Sequence, residues 1–118
     1  MSKAKPAFRC ASHLRRLRTV LRRRAADTIA LAESIADFAE PPMRENESAA
    51  ALESFLADEG FAVKRPWKSI PTAFHADAGS RGPRIALLAE YDALPDCGPK
   101  PGQWGHGCGH NLLGAAAA

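Results

Sequence analysis

Acidic residues are missing from the first 26 positions; Asp27 is the first of them. Before it stand Lys3, Lys5, Arg9, Arg15, Arg16, Arg18, Arg22, Arg23 and Arg24. The net charge of +3 therefore says little about partners, and the basic head has to be judged alone. Aromatics are scarce, at 7% of the chain, and no Phe, Tyr or Trp sits between Arg9 and Arg24. That removes the stacking platform that single-stranded nucleic acid needs. Cysteine is limited to Cys10, Cys97 and Cys108. An odd, widely spaced set excludes a disulfide framework and fits a reducing compartment, read here as the cytoplasm. No apolar run approaches the roughly 20 residues of a membrane-spanning helix. The N-terminal region also lacks the apolar segment of a secretory leader. No membrane partner and no nucleic-acid partner are expected.

What is present describes one small domain of 118 residues, 46% hydrophobic and 25% charged, as soluble globular chains are. Residues 1–18 read as a basic, flexible tail, and residues 19–118 as the body. From His13 to about Arg24, Leu14, Leu17, Val20 and Leu21 recur at helical spacing among the arginines. A solvated helix face is the preferred reading; contact with nucleic acid, contact with anionic lipid and an organelle transit segment are the alternatives. The helix is expected to continue through Thr28, Ile29, Leu31, Ile35 and Phe38, with Asp27, Glu33, Asp37 and Glu40 towards water. Pro41 and Pro42 end it. A second helix follows, capped by Asn46 or Ser48 and burying Leu52, Phe55 and Leu56. Glu45 and Glu47 suit its positive end better than they suit a catalytic carboxylate pair. Gly60 stops it.

Strands are predicted over 61–65 and 72–76, before the turn at Gly79 to Pro83. His75 reads as a half-exposed strand residue. Ile85 to Ala89 is a continuous apolar run, as in a strand buried on both faces. It emerges into Glu90-Tyr91-Asp92-Ala93-Leu94-Pro95. Ligands gather outside the carboxyl ends of strands in open α/β sheets, so Glu90 and Asp92 form a candidate acidic pair there. A plain strand-end turn is the alternative. The Gly- and Pro-rich stretch to Gly105 reads as a long structureless loop, with Cys97 a spectator thiol.

The most informative stretch is Trp104-Gly105-His106-Gly107-Cys108-Gly109-His110-Asn111-Leu112-Leu113-Gly114. It sets two imidazoles and a thiol into five residues, separated only by glycines. Thiolate and imidazole are donors that zinc prefers. Asn111 reads as the cap of a helix beginning at Leu112. Spacing alone leaves a plain surface turn open, and two or three donors fall short of a full cage. The chain stops in the first turns of that helix, and the central strand lacks covering layers. A shortened form of a larger protein is therefore expected.

Taken together, Ile85 to Pro95 and Gly105 to Gly114 resemble the aminoacylase and carboxypeptidase-G type metallopeptidases (family M-twenty), in their amidohydrolase branch. Asn111 and the long loop before Gly105 are most similar to its aminobenzoyl-glutamate hydrolase side. The resemblance implies a chain about three to four times longer. It implies the N-terminal part of a zinc-peptidase-like three-layer α/β/α catalytic domain, here incomplete. It also implies hydrolysis of the amide bond of N-acyl or N-aroyl amino acids or dipeptides by a site holding two zinc or manganese ions. Carried over by position, Cys108 and His110 match metal ligands and Asp92 matches the aspartate that supports a ligand. Glu90 stands where many relatives place a histidine, and His106 matches a motif histidine that supports rather than binds. A homodimer is implied for the complete protein. The general base and the remaining ligands would lie past Ala118, so this chain alone is expected to be nearly inactive, or a non-catalytic module keeping a partial metal site.

Overall fold

The computed structural model describes residues 10–118. The order is α1 (Cys10–Phe38), α2 (Asn46–Asp58), β1 (Ala62–Lys64), β2 (His75–Asp77) and α3 (His110–Ala117). Helix α1 starts inside the stretch read as a flexible tail; residues 1–9 of that tail lie outside the described residues. Helix α1 ends as expected before Pro41. Ala39 turns into the left-handed region at φ 45°, and its N–H still donates to the Ile35 carbonyl at 3.2 Å.

The core is small and lies between the helices. Leu31, Ala32 and Ile35 of α1 meet Leu52 of α2 and Ala115 of α3, with Phe55, Phe74 and Tyr91 packed around them. Ile29, expected in this stripe, is 58% exposed. Gly114 lets α3 approach closely: a Cβ there would lie 3.1 Å from the Tyr91 Cβ.

The start of α2 corrects the expected cap. Neither Asn46 nor Ser48 caps it with its side chain, and Glu45 at the cap position makes no capping hydrogen bond. The Glu40 carboxylate arrives instead from beyond α1. It accepts from the Glu47 N–H at 3.0 Å, the Ser48 N–H at 2.8 Å and the Ser48 hydroxyl at 2.8 Å. A negative group there meets both the unpaired N–H donors and the positive end of the helix dipole. Burial works to raise the Glu40 pKa, but these bonds, with the Asn46 N–H, outweigh it and hold the carboxyl below its ordinary value. Local spacing, which points Glu40 to water, cannot see a cap from seven positions upstream. Glu45 turns inward, 9% exposed, and accepts the Thr72 hydroxyl at 2.5 Å.

Strands β1 and β2 pair antiparallel, with Ala62 opposite Asp77, Val63 opposite Ala76 and Lys64 opposite His75. His75 is a half-buried strand residue as expected, its ring stacked on Trp67 at 4.5 Å. The third expected strand does not form: residues 83–91 are irregular among the described residues. Ile85 is 86% exposed, Leu87 76% and Leu88 90%. A strand exists only through its ladder, and no described segment offers the run a partner. The observed architecture is mixed helix and a two-stranded sheet, compatible with an α/β class.

Candidate functional site

Three anchors bring the two chemistry-bearing segments together. The Ala93 N–H donates to the Glu40 carbonyl at 2.8 Å, which ties the 90–94 stretch to the end of α1. Leu94 and Gly105 then form an isolated antiparallel bridge, with N–H to carbonyl distances of 2.8 and 3.0 Å. This bridge closes the loop between them. Gly105 is obligatory there, because a Cβ would overlap the Cys97 carbonyl and the Gly98 nitrogen. The loop is not structureless. Gly98 N–H donates to the Gln103 carbonyl at 3.0 Å, and Gly102 N–H to the Asp96 carboxylate at 2.8 Å.

The third anchor is an imidazole. His106 Nδ1 accepts the Asn111 N–H at 3.2 Å, so Nε2 carries the proton and donates to the Ile35 carbonyl at 3.1 Å. Asn111 Nδ2 donates to the Ala32 carbonyl at 3.2 Å, one turn back on α1. Both nitrogens of His106 are committed, which leaves it no lone pair for a metal. Burial, joined by the neighbouring His110, holds its pKa below the ordinary value against the raising effects of the Ile35 carbonyl and Asp92. Asn111 is not the cap of α3. Gly109 occupies that position at φ 76°, a left-handed conformation that favours glycine. Its carbonyl accepts the Leu112 and Leu113 N–H groups, both at 3.0 Å.

These anchors place His110 against Asp92, with His110 Nδ1–H donating to Asp92 Oδ1 at 2.8 Å. Their side chains are 26% and 19% exposed. The bond fixes the tautomer and leaves Nε2 as the free electron pair. A carboxylate on one ring nitrogen is the usual support of a metal-binding histidine. Cys108, two positions earlier, is an exposed free thiol. Glu90 is exposed, and among the described residues no hydrogen bond joins it to Asp92 or His110. Cys97 lies under Gly107, where an added Cβ would come within 2.9 Å of its sulfur. The neighbouring Tyr91 hydroxyl donates to the Thr72 carbonyl at 2.5 Å. Burial, with the Glu45 and Glu53 carboxylates nearby, pushes the phenol up to about 12.

By donor type and tautomer, His110 and Cys108 suit a borderline-soft divalent metal. By number they fall short, since no three His, Cys, Asp or Glu side chains converge into a cage among the described residues. Sequence reasoning names Asp92, Cys108 and His110. It misses Glu40, Ile35 and Ala32, all three of which act here through backbone carbonyls that no side-chain pattern reveals.

The chain is 45% identical over 97 residues to a subunit of the p-aminobenzoyl-glutamate hydrolase of Escherichia coli (strain K12), covering 74% of this chain and 20% of that protein. It is 36% identical over 120 residues to the Xaa-Arg dipeptidase of Mus musculus, covering 84% of this chain and 26% of that one. The chain belongs to the amidohydrolase branch of the aminoacylase and carboxypeptidase-G family. The Homo sapiens Xaa-Arg dipeptidase is 43% identical over 67 residues, covering 46% of this chain. This family member spans only between 14% and 26% of the length of these relatives. No family model matches it, and no solved structure does.

Proposed function

We propose that this chain carries the metal-binding loop of a hydrolase that cleaves the amide bond of an N-acyl or N-aroyl amino acid, or of a dipeptide, with a free carboxylate. The observation that carries this is the Asp92–His110 contact, which leaves His110 Nε2 free two residues from the exposed Cys108 thiol. Cys108 and His110 would hold a zinc or manganese ion. When bound, such an ion supplies a water of lowered pKa and polarises the scissile carbonyl. The chain's own part is orientation. Asp92 holds the His110 ring and its tautomer, His106 and Asn111 fasten the loop to α1, and the Leu94–Gly105 bridge sets the loop's two ends side by side.

The remaining donors and the general base would come from residues outside this chain's 118 positions, in the longer form whose length the relatives have. The exposed run Ile85, Leu87 and Leu88 fits the same reading. It is a strand in waiting for a larger sheet of a three-layer α/β/α domain, in a cytoplasmic and dimeric enzyme. Without a general base, about 10²–10⁴-fold of rate is missing, so the chain alone turns over little. A second reading, a non-catalytic module keeping a weak site, draws on the incomplete donor set.

The test is native mass spectrometry for bound zinc, with hydrolysis of an aroyl-glutamate, on the chain and on its Cys108→Ala variant. Weak zinc uptake that the variant loses, without turnover, is expected. Uptake unchanged by the variant overturns the site, and turnover by the chain alone overturns the incompleteness.

A further inference from the structure

We propose that the first half of α1 is a docking surface for an anionic phospholipid bilayer. Every residue from His13 to Leu21 and on to Arg23 is exposed. Over these three turns, about 16 Å of helix, nothing described covers the chain. Leu14 is 46% exposed, Leu17 53%, Val20 47% and Leu21 59%. They continue the face that Leu31, Ala32 and Ile35 bury further along the same helix. The apolar stripe thus begins at Leu14, nearly five turns before the first core residue, Leu31. Arg15, Arg16, Arg18, Arg22 and Arg23 occupy the other side, and no acidic residue stands between Cys10 and Ala26. Arg24 ends the segment and is engaged elsewhere. It pairs with Asp27 at 3.0 Å and with Glu59, and its guanidinium lies 5.9 Å from the Phe55 ring centre.

Charge complementarity and the stripe together select the partner. A merely solvated face needs no leucines. A nucleic acid would use the arginines but not the stripe, and the helix carries no Phe, Tyr or Trp from Cys10 to Asp37 to stack on bases. A second copy would bring two arginine-rich helices together over four half-exposed aliphatic side chains. That is far below the about 800 Å² per partner that a stable interface buries. An anionic bilayer uses both faces. The helix lies in the interface plane, the leucines enter the acyl boundary and the long arginine stems reach the phosphates. The expectation of no membrane partner rests on the missing spanning segment, and an interfacial helix needs none.

The test is co-flotation of the whole chain with vesicles of phosphatidylcholine alone, or with about 30 mol % phosphatidylserine added. At least about tenfold more protein is expected on the anionic vesicles, falling as salt rises above about 0.1 M. Replacing Arg15, Arg16, Arg18, Arg22 and Arg23 by glutamine should abolish the difference. The double variant Leu17→Gln, Leu21→Gln should reduce binding about tenfold with all charge kept. These side chains are exposed, so circular dichroism should show the fold unchanged. Equal binding to neutral and anionic vesicles overturns the proposal. So does a leucine variant that binds vesicles unchanged while the chain binds duplex DNA with a steep salt slope, which assigns the arginines to nucleic acid. Self-association without vesicle binding, lost in the leucine variant, assigns the stripe to a second copy and likewise overturns it.

Discussion

Asp92 and His110 stand 18 positions apart in the sequence and 2.8 Å apart in space. The chain between them is folded away by the Leu94–Gly105 bridge, so the contact depends on the bridge as much as on the two side chains. Removing the carboxylate frees the ring to turn and to exchange tautomers. Asp92→Ala should therefore weaken zinc affinity about 10–100-fold, the usual effect of losing such support. Competition with a chromophoric chelator measures it, and an unchanged affinity would remove Asp92 from the site.

The bridge itself is tested at Gly105. An added methyl would meet the Cys97 carbonyl and the Gly98 nitrogen, both backbone atoms that cannot swing aside. Gly105→Ala should open the bridge and cost about 1–3 kcal/mol in denaturant unfolding. The same methyl at Gly102, where nothing lies within 4 Å but φ is +81°, should cost less, through backbone strain alone. A larger loss at Gly102 than at Gly105 would refute the packing argument.

Much of this is legible in the sequence, and the rest is hidden for physical reasons. Periodicity locates α1 and α2, and paired prolines place the stop. The Cys-Gly-His spacing singles out Cys108 and His110 as candidate donors, because thiol and imidazole set among glycines have little to pack. The strand expected at Ile85 to Ala89 is absent because an apolar run reports burial in a complete sheet, while forming a strand needs a partner. Glu40 escapes a local reading because its role is non-local: it caps a helix seven and eight positions downstream. The sequence also misplaces the role of Asn111, since Gly109 takes the cap and frees the amide to reach α1.

Glu40 gives the chain an acid-sensitive joint. Its native pKa lies below the ordinary value, so its charged form is favoured by folding. That contribution is fully present above the ordinary carboxylate range and is lost as pH falls through the lowered native pKa. Glu40→Gln removes the charge and leaves one acceptor for three donors. A loss of about 1 kcal/mol at neutral pH is expected, in line with other helix-cap deletions. Thermal melts from neutral to acid pH should show a shallower acid decline in the variant. Parallel curves for variant and parent would contradict the assignment.

Asn111 makes a sharper case, because its replacement is isosteric. Its Nδ2 donates to the Ala32 carbonyl while its backbone N–H holds His106 Nδ1. Asn111→Asp keeps the shape and turns the donor into a charged acceptor facing a carbonyl. At neutral pH this should cost about 1–3 kcal/mol, the loss of a half-buried hydrogen bond plus an unpaired acceptor. The sign of the pH effect distinguishes this from a general loss of packing. A protonated aspartic acid regains a donor, so the folded state should favour the protonated form and raise the pKa of the new carboxyl. The penalty should then shrink as pH falls through that raised pKa, while the parent loses stability over the same range. Melts of the two proteins that converge towards acid pH would establish the Asn111–Ala32 bond, whereas a gap constant from neutral to acid pH would refute it.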